Sequence, residues 1–147
     1  MTLENLLAIG RLKRHETDAA EIQRLIGAAR RNLQDSHVRM VSGETRFDTA
    51  YKCIFQAALA ALMANGFRPD THRPGHHVTV IQSLPKTIGL KTRNMVVLDA
   101  LRRRRNLADY TGEEIDGGLV ESCIDEAETL LSAVSNWLER THPEYCG

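Results

Sequence analysis

The sequence predicts an all-α fold, an up-and-down helical bundle of four long helices plus short extra helices. Apolar residues recur at helical spacing in four long stretches, and the breaks between them fall at glycine, proline or capping residues. The one segment with β-propensity, Val78 to Leu84, has no obvious second strand to pair with. It is therefore predicted to be a short helix that stops before Pro85.

The first two helices are predicted from their caps. Thr2 is expected to cap a short helix that loosens at Gly10. The second helix starts at Thr17, with Asp18 and Glu21 in its first turn, where carboxylates interact well with the helix dipole. Its inner face carries five apolar residues, namely Ile22, Leu25, Ile26, Ala29 and Leu33.

The third helix, from about Arg46 to Asn65, is predicted to be the core helix. Its many alanines would let neighbouring helices approach closely, and Asn65-Gly66 is a usual left-handed stop. The preceding segment, Val41 to Glu44, interrupts the helical pattern. A loop is predicted from Phe67 to His77. The apolar face of the core helix consists of Phe47, Tyr51, Ile54, Phe55, Ala58, Leu59 and Leu62.

Two further long helices complete the predicted bundle. Thr92 opens a helix whose apolar series leads into the run Arg102–Arg105 on its last turns, before a polar turn. Either a capping box from Thr111 to Glu114 or Asp116 is expected to start the last helix, which is amphipathic from Leu119 onward. The tail after Arg140 is predicted to be loose.

Bulk composition predicts one globular domain over residues 1–147, with its core at about 17–138. Because the 19 basic and 19 acidic side chains balance, any nucleic-acid binding must come from a local patch. The three cysteines form no C-x-x-C pair, which favours a reducing, cytoplasmic setting. We expect no membrane span, since no stretch nears the roughly 20 apolar residues that cross a bilayer. We expect no signal peptide, because the N-terminus carries Glu4 and no long apolar core. No cofactor is expected.

The arginine run has two interpretations of about equal weight. Guanidinium groups match phosphate oxygens two at a time, so a phosphate pocket is one. An Arg–Asp ion-pair network, with the Tyr110 hydroxyl tying the turn, is the other. Arg102, Arg105 and Asp109 share one helical face, whereas Arg103 and Arg104 are expected to be solvated or to face phosphate. The helix dipole explains one or two of the arginines, but not the Asn106-x-x-Asp109-Tyr110 that follows.

Several features follow one another in a specific order. Arg46-Phe47-Asp48-x-x-Tyr51 lies on a helix that ends at Gly66. Gly75-His76-His77 and a short apolar segment come next, and Arg105-Asn106-x-x-Asp109-Tyr110 precedes a long closing helix. From about Thr17 to Leu138 this order resembles the HEPN superfamily of small all-helical domains. Only the Arg-Asn segment is motif-like.

The resemblance implies a homodimer that acts on RNA or a nucleotide. Many members are endoribonucleases, often toxins paired with a minimal nucleotidyltransferase antitoxin. Their motif is an Arg, a polar residue and then a His; here Arg105 and Asn106 match the first two, and Tyr110 stands where the His is expected. The catalytic residues implied are therefore Arg105, Asn106 and Tyr110.

Three hypotheses follow from that departure. In the first, the chain is a ribonuclease in which Arg105 stabilises the phosphate and Tyr110 donates a hydrogen bond, because a tyrosine with its usual pKa near 10 is a poor base. In the second, the cluster binds a nucleotide, a nucleic-acid backbone or an acidic partner without catalysis. In the third, a nucleotidyltransferase-type antitoxin modifies Tyr110.

Additional groups are candidates for the same cleft. His76 or His77 can swing toward the arginines and supply a base, and Asp48 and Tyr51 can approach from the core helix. The alternative is that Asp48 pairs with Lys52 or an arginine while Tyr51 is core. A zinc site at His72, His76, His77 and Asp70 is not expected, since Pro74 and Gly75 predict a loop and no cysteine lies nearby.

Overall fold

Long helices build the fold, which is all-α as predicted, and the computed structural model describes residues 1–146. The helices are α1 (Leu3–Ala8), α2 (Ala19–Ser36), α3 (Gly43–Ala64), α4 (His76–Gln82), α5 (Leu84–Thr87), α6 (Thr92–Thr111) and α7 (Gly117–Thr141). A short 3-10 helix, Pro143–Tyr145, follows α7. Among residues 1–146, no helix is both long and apolar enough to cross a bilayer.

The α3 helix is the centre of the core, as its alanine-rich sequence predicts. It packs against α2 on one side and α7 on the other, and its alanines at 57, 58, 60 and 61 are fully buried. Small side chains let the two neighbouring backbones come close. Larger buried residues of α3, such as Phe47 and Ile54, fill the remaining space in the core. The helix is therefore buried on nearly all sides.

Helix starts differ from the predicted ones by a few residues. Asp18 is the N-cap of α2 rather than part of its first turn, since its side chain accepts from the Glu21 amide at 2.8 Å. The α3 helix begins at Gly43, because Ser42 caps it by accepting from the Thr45 amide at 3.1 Å. The segment predicted to interrupt the pattern is thus the cap and first turn of the core helix.

A two-stranded sheet replaces the start of the predicted loop. Strand β1 (Leu12–Arg14) pairs antiparallel with β2 (Phe67–Pro69), and Leu12 lies opposite Pro69. The prediction that Phe67 begins a loop is therefore wrong. Three-residue strands carry too little periodicity to be recognised, and the partners lie far apart in sequence.

The prediction for the segment around Pro85 is correct in type but not in extent. The α4 helix starts at His76, after Gly75 with φ of 84°, so both histidines at 76 and 77 are helical. Pro85 does not end the helical region, because it lies in the first turn of α5, where a missing amide hydrogen costs nothing.

The α6 helix is longer than predicted. It continues to Thr111 and stops at Gly112, whose φ of 68° is left-handed, so the expected polar turn at Asn106, Asp109 and Tyr110 is a helix instead. Asp116, not the box at Thr111, caps α7.

The tail beyond Arg140 is attached rather than loose. The α7 helix runs to Thr141, the Gln23 side chain of α2 donates to the Tyr145 carbonyl, and the His142 and Tyr145 rings stack. These contacts return the 3-10 helix to the bundle.

Candidate functional site

The α6 helix directs two of its four consecutive arginines toward the bundle. Leu98 and Leu101 on this face are buried, and α6 packs on both α3 and α4. Arg102 and Arg105, three residues apart, lie on the same face, and their side chains are 12% and 24% exposed. We call these four residues the inner face of α6.

Arg105 is held by α3. Its Nε donates to Asp48 Oδ1 at 2.7 Å, and its guanidinium carbon lies 5.0 Å from the centre of the Tyr51 ring. The other Asp48 oxygen is 3.4 Å from Lys52 Nζ. This bond uses only the Nε hydrogen of the guanidinium. Within residues 1–146 its two terminal nitrogens have no hydrogen-bond partner, and they remain available to an external acceptor.

Arg102 is held in the same manner by its own helix. Its Nε donates to Asp99 Oδ1 at 2.9 Å, and Asp99 is only 5% exposed. Arg103 lies 3.2 Å from the second Asp99 oxygen, although 72% of the Arg103 side chain is exposed. Both inner arginines are thus fixed through Nε, and their terminal nitrogens are without partners in the described part of the chain.

The α4 helix brings a histidine to the same place. The Tyr51 hydroxyl is 2.9 Å from His77 Nδ1. The His77 ring stacks on Phe55, with ring centres 4.0 Å apart, and the His76 ring lies edge-on at 4.8 Å. The site therefore combines Arg102 and Arg105 of α6 with Tyr51 of α3 and His77 of α4.

Burial and the nearby cations set the protonation states of these groups. Burial lowers the pKa of His77 to about 4, helped by the positive charges of His76, Arg105 and Arg102. Burial also raises the pKa of Tyr51 above its ordinary value, against the opposing effect of the two arginines. At neutral pH the site contains a neutral imidazole, a protonated phenol and two permanent cations.

A small pocket of about 90 Å³ borders the other side of Arg105. Among its lining residues are four carboxylates, those of Glu44, Asp48, Asp109 and Glu113. Such a wall repels a phosphate. Approach of an anion to Arg105 through this pocket is therefore unfavourable.

The remaining predicted site residues lie elsewhere on α6. Tyr110 is 91% exposed, and five helical steps of about 100° place it some 140° around the helix from Arg105. Asn106 is exposed as well, and Arg104 donates to the Glu114 carbonyl at 3.2 Å. Within one chain, then, the inner arginines and Tyr110 do not share a cleft.

Asp99 and Phe55 also belong to the site, although neither was predicted to do so. Asp99 lies three residues before Arg102, so the i, i+3 rule for ion pairs was sufficient to find it. Phe55 looks like any core aromatic, and only the packing of α4 on α3 reveals it as the surface that orients His77.

The loop before α4 has no arrangement suited to a metal ion. In the described residues, no three His, Cys, Asp or Glu side chains are grouped to hold one. Asp70 instead accepts from the His72 amide at 3.0 Å, which closes a local turn.

Comparison with known proteins does not assign the chain to a family. No family model matches the chain, and no curated protein is significantly similar to it.

Proposed function

We propose that this protein is a HEPN-like domain that binds RNA by holding a backbone phosphate between Arg102 and Arg105, with metal-independent cleavage of that RNA as the activity to be tested. One observation supports the phosphate site most directly. Both arginines are fixed through Nε, at 2.9 Å and 2.7 Å from their carboxylates, and their terminal nitrogens are left for a ligand. The two side chains lose their rotamer freedom on folding rather than on binding, which favours tight binding.

The Arg–Asp contacts also fit the ion-pair interpretation, so the two must be separated. A purely structural pair is expected to use the guanidinium fork in a bidentate contact, because this satisfies more donors. Here Asp48 and Asp99 each receive a single bond from an inner arginine. This pattern supports positioning of the arginines for a third group, with RNA chosen because of the HEPN resemblance.

A homodimer is part of the proposal. One exposed stripe of α6 is mostly apolar; it consists of Val96, Ala100, Arg103, Leu107 and Tyr110, and we call it the outer stripe. A second copy of the chain would cover these apolar side chains. Such a dimer would also bring the two Tyr110 hydroxyls into a shared seam.

A second candidate is a binding or assembly module without catalysis. The observation that favours it is the position of Tyr110, which lies on the opposite side of α6 from Arg105. The 91% exposure of Tyr110 also supports access by a nucleotidyltransferase-type antitoxin. We place either activity in the cytoplasm, where the free thiols of Cys53, Cys123 and Cys146 would stay reduced.

RNA binding and cleavage in the presence of a chelator test the proposal. Wild type, Arg105→Ala, Tyr110→Phe and the distant control Arg14→Ala are compared on single-stranded RNA. We expect binding that weakens steeply with added salt, as phosphate contacts do, and loss of both binding and cleavage in Arg105→Ala alone. Binding without cleavage by wild type would select the non-catalytic module. An RNA affinity that does not change with salt would reject the phosphate site. Binding by Arg105→Ala as tight as that of wild type would also reject it.

A further inference from the structure

We propose that His77 is the third phosphate-binding group of this site and acts as a neutral Nε2–H hydrogen-bond donor, not as a base. The inference rests on the RNA-binding function proposed above. It assigns to α4 a part in recognition that α6 alone cannot supply.

The tautomer of His77 follows from Tyr51. This tyrosine is 1% exposed, so its hydroxyl hydrogen needs an acceptor inside the protein. Among residues 1–146, His77 Nδ1 at 2.9 Å is the acceptor within its reach. Nδ1 therefore accepts, and the single proton of the neutral ring must be on Nε2.

Burial of the ring and the charged groups around it keep it neutral. Arg102 and Arg105 approach from α6 and His76 from α4, and each opposes a further positive charge. The carboxylates that could favour protonation, Asp48 and Asp99, are already engaged by the arginines. The lowered pKa of His77, about 4, agrees with this arrangement.

The Nε2–H group of His77 has a fixed direction and no hydrogen-bond partner among the described residues. Phe55 stacks on the ring at an interplanar angle of 12°, and the Tyr51 bond fixes the opposite edge. In the described structure Nε2 has no hydrogen-bond partner, and it is not one of the fully enclosed polar atoms. It thus presents a fixed N–H that a ligand can still reach, on a ring close enough to Arg102 and Arg105 to feel their charges.

Phosphate oxygens are the acceptors that suit these donors. They carry lone pairs and negative charge, and the site offers the terminal nitrogens of Arg102 and Arg105 with the His77 N–H. A nitrogen that already carries its proton cannot remove one from a ribose hydroxyl. Affinity is expected to be nearly constant from about pH 5.5 to 8, because a neutral histidine does not change charge there.

Nitrogen NMR of the His77 ring in the full chain tests the protonation state directly. At neutral pH we expect a protonated Nε2 and an unprotonated Nδ1, and a shift of the Nε2–H signal when a single-stranded RNA oligonucleotide is added. The variant His77→Gln assigns the signal. A proton on Nδ1, a cationic ring, or a signal unaltered by bound RNA would overturn the inference.

Binding measurements separate the donor from a structural role. His77→Gln keeps an N–H near the Nε2 position, so its affinity for the RNA should stay within about twofold, whereas His77→Ala should bind roughly tenfold more weakly. His72→Ala, an exposed histidine of the preceding loop, is the matched control. Equal binding by wild type and His77→Ala would reject the role of His77 but leave the RNA-binding function standing. Failure of wild type to bind RNA would reject the proposed function, and this inference with it.

Discussion

The two faces of α6 have similar sequence but different environments. On the inner face, Arg102 and Arg105 are mostly buried, and the Nε of each donates to a carboxylate. On the outer stripe, Arg103 is 72% exposed and lies beside Leu107 and the fully accessible ring of Tyr110. Since each residue turns the helix by about 100°, neighbouring arginines receive different surroundings.

Consecutive arginines on α6 therefore have different structural roles. The inner pair has fixed geometry and unsatisfied terminal nitrogens, which suits recognition of a planar or tetrahedral anion. The outer arginine is solvated, so its contribution is a general positive charge that salt screens. Function is therefore expected to depend on the inner face, and association of two chains on the outer one.

Removal of Asp99, which holds Arg102 on the inner face, should reduce stability more than any other change considered. Asp99→Ala leaves the mostly buried Arg102 without its carboxylate and should lower the free energy of unfolding by about 3 kcal/mol. Urea denaturation measures this change. As the outer-stripe control, Arg103→Ala should change stability by less than about 0.5 kcal/mol. Equal losses in the two variants would mean that the faces do not differ in structure.

Stability should also depend on pH, through His77 of α4, which lies near the inner arginines. Because the folded pKa of His77, about 4, lies below its unfolded value near 6.5, the unfolded chain binds more protons between these limits. Its contribution to stability is complete above pH 6.5 and is lost as pH falls toward 4. Allowing for partial exposure, we expect roughly 2 kcal/mol from this group.

Urea denaturation at several pH values, with His77→Gln as reference, isolates that contribution from other acid-sensitive groups. The difference in stability between wild type and variant should shrink as pH falls from 6.5 to 4. A difference that is constant over this window would show that His77 has an ordinary pKa in the folded protein.

A smaller effect is expected on the outer stripe. Leu107→Glu places a charge on a half-exposed apolar position and should weaken the proposed dimer about tenfold or more, while the monomer keeps its thermal stability. Sedimentation at several protein concentrations measures this. Met40→Glu, at a residue 98% exposed and outside the stripe, is the control. If both variants sediment like wild type, the outer stripe is not the interface.

Much of the fold was predictable from sequence because long amphipathic helices have strong periodicity. The core helix and the closing helix were found within a few residues, and their ends were shifted by caps such as Ser42 and Asp116. The two short strands were not found. A three-residue strand pairs through its backbone, and the sequence pattern does not record this pairing.

The site was predictable only in part. Helical spacing placed Arg102 and Arg105 on one face, and the i, i+4 pair of Asp48 and Lys52 is present. The contact between Tyr51 and His77 joins two helices across a loop, so no local rule indicates it. The predicted turn at Tyr110 failed because α6 continues past the arginines until Gly112 stops it.

The inner arginines are expected to bind phosphate through geometry rather than charge alone, and two charge-conserving variants distinguish these effects. Lysine keeps the charge but cannot bond Asp48 and still offer a guanidinium fork. RNA affinity at fixed salt should fall about tenfold for Arg105→Lys and stay within about twofold for Arg103→Lys. Equal affinities of both variants and wild type would contradict the claim.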